Sequence, residues 1–170
     1  MNKFVNDKLN ETRNNLLKEI TVLSDAQFNS KIDMNMWSIA QVCHHLVLVE
    51  EASLKAIAWG LNQVDSTQKE RKKVQLILER TKKMKAPKIV EPDVEPFEIQ
   101  QVIDLLNDSR KKIMNFLSTI KDKSILAEKS VMHPALGELP LDQWIEQIYL
   151  HELRHIEQIR EIKLILDSKH

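Results

Sequence analysis

Apolar residues recur along this chain at steps of three and four, the spacing of one face of an α-helix. Four long segments carry the pattern. The first covers about residues 2–23, with Phe4, Leu9, Leu16, Ile20 and Leu23 on one stripe. Ser24 and Asp25 interrupt it, and a short turn is expected at residues 26–29. The second follows Trp37, takes Ser38 as its N-cap and reaches about Leu61, with Gly60 as its stop signal. Its apolar stripe runs Val42, His45, Val49, Ala52, Ala56 and Trp59. The third covers about residues 97–120, with Ile99, Ile103, Leu106, Ile113, Leu117 and Ile120 facing inward. The fourth covers about residues 141–166 and, at about 1.5 Å per residue, is nearly 40 Å long.

The link between the second and third segments, residues 62–96, is too long for a tight hairpin. It predicts a crossover rather than strict up-down-up-down order. Within it, Val74, Leu76, Ile77 and Leu78 predict a shorter helix. Pro87, Pro92 and Pro96 bar regular helix and predict an extended strap. Residues 121–140 are expected to be a loop. The fold class is therefore all-α: a four-helix bundle with a long crossover, in one domain over residues 1–170.

Composition changes this picture in only a few places. Glycine occurs twice, at Gly60 and Gly137, which argues against sheet folds and glycine-rich phosphate loops. The 25 basic and 25 acidic residues cancel, so nothing global points to nucleic acid or an anionic membrane. No segment approaches the roughly 20 apolar residues of a membrane helix. The basic run at residues 69–85 lacks aromatics for base stacking and is expected to be a solvated helix face. The single cysteine, Cys43, excludes an internal disulfide and points to the cytoplasm. It shares a face with Ile39 and Leu46, so a buried core thiol is expected there rather than a nucleophile. Trp37, Trp59 and Trp144 are expected in the core or a pocket wall.

Candidate chemistry lies in the fourth helix. Its inward stripe runs Trp144, Ile148, His151, His155, Ile159, Ile162 and Leu166. His151 and His155 are one turn apart, close enough for both imidazoles to reach one metal ion. The pair alone also fits two core histidines with satisfied nitrogens. His45, on the stripe of the second helix, is the candidate third ligand. Its neighbour His44 phases with a more polar side and is expected to be peripheral. Three imidazoles from two helices would leave coordination positions open for water or substrate. His133, in the expected loop, is read as an exposed residue.

The stretch HELRH also matches H-E-x-x-H, a zinc-protease signature. The IEQIREI that follows has neither the glycine nor the histidine of the extended motif, and no strands are evident for a substrate-binding sheet. Glu152 is therefore read as incidental, a surface or outer carboxylate rather than a catalytic base.

The chain resembles the DinB-like (DinB/YfiT) superfamily. The resemblance rests on WSIAQVCHHLVLVE at 37–50, on GELPLDQWIEQIYLHELRHIEQI at 137–159, and on the proline strap between them. It implies a four-helix bundle holding one divalent metal, zinc or nickel among others, on three histidines. The positions that match here are His45, His151 and His155. It also implies a homodimer and a small-molecule substrate. Characterised relatives include transferases that use the low-molecular-weight thiols bacillithiol or mycothiol. Three function classes follow: such a thiol transferase, a metal-dependent hydrolase or isomerase using activated water, or a non-catalytic metal- or ligand-binding stress protein.

Overall fold

Ser38 and Gln41 form a reciprocal capping box that starts one of the long bundle helices. In the computed structural model of the protein, which describes residues 3–81, 85–94 and 96–168, that helix is α3, Ile39–Leu61. Four long helices make the bundle: α1 (Lys3–Ile20), α3, α4 (Ile99–Thr119) and α6 (Leu141–Asp167). Short helices α2 (Asp25–Asn29) and α5 (Ile125–Glu128) sit in the connections. The Ser24 box with Gln27 starts α2 and ends the expected first segment three residues early, at Ile20. Asn29 then clasps the backbone of Phe97 through two hydrogen bonds, 2.8 and 2.9 Å, and Asp25 accepts from the Ile99 N–H at the head of α4.

Partner residues give the helix directions. Arg13 reaches Leu106 while Arg110 reaches Leu9, so α1 and α4 are antiparallel. His44 meets Phe97 and Glu51 meets Lys112, so α3 and α4 are parallel. Glu19 meets Arg160 and Lys163 while Thr12 meets Glu152, so α1 and α6 are parallel. The order is up-down-down-up, and the predicted crossover is the link that makes it possible. This link returns along α6, from Arg71 beside Asp142 to Arg80 on the Arg154 carbonyl, and then crosses to α3. Its expected helix is one short 3-10 segment, Val74–Leu78, followed by a 3-10 turn at Lys88–Val90. The basic run is not simply solvated. Lys69, Arg71 and Arg80 pair with Glu138, Asp142 and Glu161, fastening the strap; residues 82–84 of that run lie outside the described residues.

Residues 121–140 are more ordered than a loop. Besides α5 they hold a hairpin, β1 (Ser130–His133) paired antiparallel with β2 (Gly137–Pro140). Gly137, at φ 75°, makes the turn. Gly60 does not stop α3 but lies inside it: a Cβ there would meet Val131 Cγ2 at 2.5 Å and Leu141 Cδ2 at 2.9 Å. Its role is close approach of the hairpin and the head of α6.

The core has two apolar halves. One is built around Leu9, Ile57, Ile113, Leu117 and Leu141, the other around Leu16, Ile20, Val42, Leu106 and Ile159. Each fully buried Leu or Ile contributes about 1.5–3 kcal/mol. Between the halves lies a polar layer with one charged residue from each long helix: Arg13, Glu50, Arg110 and Glu152, all at most 6% exposed. Arg13 donates to Glu50 and Glu152 at 2.8 Å each, and Arg110 donates to Glu152 at 3.0 Å and to Glu50. Thr12 donates to Glu152 and Ser109 to Glu50, both at 2.5 Å. Glu152 is thus neither incidental nor at the surface. Trp59 departs in the other direction: it is 58% exposed, whereas Trp144 is buried and donates to the Val131 carbonyl.

On the far side, α1 and α4 part to leave an open groove of about 380 Å3 whose walls include Asn10, Asn14, Asn107 and Lys111. No helix among the described residues is long and apolar enough to cross a membrane. Removing Arg110 leaves two buried carboxylates sharing the single guanidinium of Arg13, an uncompensated buried charge, so Arg110→Met is expected to cost about 3–5 kcal/mol. Urea denaturation measures this. The double variant Arg110→Met/Glu50→Met is expected to cost less than the sum of the two single changes, because it removes a matched pair.

Candidate metal centre

The antiparallel packing of α3 on α6 sets the histidines. Ser53 faces Gln147 at one level, and two turns away His45 faces His151 and His155. Ring centroids are 5.2 Å apart for His45 and His151, 5.1 Å for His45 and His155, and 4.5 Å for His151 and His155. One nitrogen from each ring lies within 4.8 Å of the others. His151 Nε2 and His155 Nε2 are 3.1 Å apart. Nitrogens each about 2.0–2.1 Å from a shared ion lie roughly 3–3.4 Å apart, so this pair is already at coordination spacing.

Two of the outer nitrogens are fixed. His45 Nδ1 donates to the Val90 carbonyl at 2.7 Å, and His155 Nδ1 donates to Gln158 Oε1 at 2.7 Å. Each bond leaves the ring's Nε2 lone pair facing the cluster. Burial pushes the pKa of all three histidines down; for His155 it falls to about 3, with the charge of His45 adding to the effect. His151 is held well below its ordinary value by burial and then by His155 and His45. All three are therefore neutral at pH 7, the form that binds metal. The donor set, its spacing and its two oriented tautomers fit a divalent ion.

The structure also places the remaining sequence candidates. His44 lies outside the cluster, accepts from the Asp93 N–H at 3.1 Å and packs on Phe97. Cys43 is fully buried, and desolvation pushes its thiol pKa far up, so it is no nucleophile at neutral pH. His133 is not an exposed loop residue. It is half-buried against Trp144, with ring centroids 4.7 Å apart, and its Nδ1 accepts from the Ala135 and Leu136 N–H groups. Two contributors had no distinct signal in the sequence: the Val90 carbonyl on the strap and the Gln158 amide one turn beyond His155; Trp37, expected in the core or a pocket wall, has its ring 4.9 Å from His45.

Desolvation also lowers His133, to about 4. An unfolded histidine titrates near 6.5, so from there down to about 3–4 the unfolded chain binds protons that the folded chain refuses. This contribution to stability is complete above pH 6.5 and is lost as the pH falls through that window. The thermal midpoint of chelator-treated protein is expected to drop between pH 7 and 5, and His133→Gln to reduce that slope.

A family model for the DinB superfamily matches residues 8–159. The uncharacterized protein YuaE of Bacillus subtilis (strain 168) is 30% identical over 154 residues, which span 91% of this chain and 94% of that protein. Among solved structures, YfiT from Bacillus subtilis is described as a probable metal-dependent hydrolase with an unusual four-helix bundle topology. It superposes with a TM-score of 0.69 at 17% identity, covering 98% of this chain and 90% of its own. TT2238, a four-helix bundle protein, gives 0.63 at 15% identity over 92% and 96% of the two chains. At these identities the two structures establish the shared bundle fold.

Proposed function

Because the chain belongs to the DinB superfamily and gathers three imidazoles in one cluster, we propose that it is a metal-dependent transferase acting with a low-molecular-weight thiol. His45, His151 and His155 would hold a divalent ion such as zinc or nickel. That ion supplies Lewis acidity, lowering the pKa of a thiol or water at its open positions.

The observation that carries this reading is the convergence of three neutral imidazole nitrogens within 4.8 Å of one another. The surrounding residues narrow the chemistry. Cys43 is buried with its pKa raised, so the nucleophile has to come from solution. Activated water is helped by a nearby general base, as in H-E-x-x-H proteases. Here the carboxylate at that motif position, Glu152, is held by two guanidiniums, and so is Glu50. Burial raises the Glu152 pKa, but Arg13 and Arg110 more than offset this and hold it below its ordinary value. A thiol needs less help, since its own pKa of about 8.5 lies close to neutrality. Trp37 walls the His45 ring, and the strap fixes that ring's orientation through Val90.

A second reading, a hydrolase using activated water, is favoured by the likeness to YfiT, which is itself described as a probable metal-dependent hydrolase. The two separate experimentally. Protein purified without an affinity tag is expected to carry about one divalent ion per chain by elemental analysis, and His45→Ala far less. Cobalt-loaded protein is expected to gain an intense charge-transfer band when a small thiol is added, and to conjugate that thiol to monochlorobimane until a chelator is added. Metal-dependent ester hydrolysis without thiol, and no such band, would favour the hydrolase. Equal metal content in the wild type and His45→Ala would remove His45 from the site.

A further inference from the structure

His151 differs from its two partners. The outer nitrogens of His45 and His155 have acceptors, but Nδ1 of His151 is buried and has no hydrogen-bond partner. Its proton is accounted for elsewhere. His155 gives its Nδ1 proton to Gln158, so its Nε2 is bare and accepts across 3.1 Å from Nε2 of His151. Metal binding requires that Nε2 of His151 present a lone pair instead. The single ring proton must then sit on Nδ1, which becomes a buried N–H donor in need of an acceptor.

The ring also forms part of the wall of a narrow cavity of about 10 Å3. The other walls are Leu46, Val49 and Ile148, which are apolar, and the four members of the polar layer, Arg13, Arg110, Glu50 and Glu152. Guanidiniums only donate, so the carboxylates are the acceptors on that wall. Each carboxylate has one oxygen that accepts two bonds and one that accepts a single bond and keeps a free lone pair: Glu50 Oε1 accepts only from Arg110, and Glu152 Oε1 only from Arg13. A space of this size fits about one water.

We infer that the buried carboxylates of Glu50 and Glu152 are positioning groups for the metal centre: through a single water in this cavity they receive the Nδ1 proton of His151 and fix the tautomer in which that ring can bind an ion. This rests on the metal reading proposed above and extends it to the polar layer. A metal-binding histidine normally gives its second N–H to a carboxylate, carbonyl or water, and loss of that partner weakens binding roughly ten- to hundred-fold. The strap carbonyl serves His45, a side-chain amide serves His155, and the polar layer serves His151.

The test leaves every charge and imidazole in place. Val49→Ile adds a methyl group at the wall to displace the water. Zinc affinity of wild type and variant is measured by chelator competition, and crystal structures of both are solved with zinc. The inference expects a water within hydrogen-bond distance of both His151 Nδ1 and a carboxylate oxygen of Glu50 or Glu152 in the wild type. It expects a zinc affinity reduced about ten-fold or more in the variant, with no loss of thermal stability in the metal-free state. The 15N shifts of zinc-loaded wild type are expected to show His151 protonated at Nδ1. A zinc-loaded wild-type crystal in which Nδ1 meets another acceptor, or none, overturns the inference. So does unchanged zinc affinity when the variant's cavity is seen to be filled. Wild-type protein that takes up no zinc would defeat the metal reading itself, an outcome separate from both.

Discussion

Two arginines and two glutamates, one from each long helix, meet in the middle of the bundle, and the rest of the structure is arranged around that meeting. Isolated ions would be very costly at that depth. Here every carboxylate faces two guanidiniums, every guanidinium faces two carboxylates, and each arginine also donates to a carbonyl of the opposite helix, Leu106 or Leu9. The layer carries no net charge. A slip of one turn in any helix would leave a buried ion without its partners, so the layer ties all four helices to one register. The two apolar halves supply most of the burial energy, but grease alone would tolerate sliding.

The histidine cluster inherits that register. His151 immediately precedes Glu152, and His45 lies five residues before Glu50 on α3. The charges that align α3 with α6 therefore also bring the three rings together. The strap adds an independent constraint. It is fastened along α6 by ion pairs and by the reciprocal hydrogen bonds of Lys72 with Gln143, and it delivers the Val90 carbonyl to His45. The cations that looked like a solvated face in the sequence are part of what holds the site closed on that side.

Much of this was legible in the sequence, and the failures share a cause. The stripes of α1 and α6 read correctly because their buried residues are mostly apolar and evenly spaced: Leu9, Leu16 and Ile20 are fully buried, as are Ile159 and, within 1%, Ile162. His151 and His155 lie on the α6 stripe, and His45 lies where the expected and observed inner lines of α3 coincide, so their meeting could be anticipated. The phase of α3 was displaced. Its deepest line includes Glu50 and Ser53, which a polarity count assigns to the surface, while the apolar Trp59 points outward. Partners such as Arg13 and Glu152 are 139 residues apart, and nothing local marks a charge that will be neutralised by another helix. Likewise a backbone carbonyl that orients a ring, as Val90 does, leaves no trace in residue type. The hairpin was missed because strands of four residues fall below what a period-two pattern can reveal.

All three rings come from the antiparallel pair α3 and α6, while the open groove lies between α1 and α4 on the opposite wall. Arg13 and Arg110 also line that groove, so the ionic layer is the floor that separates it from the imidazoles. Substitutions in the asparagine-lined wall therefore reach the rings through the charges that hold Glu50 and Glu152 in place.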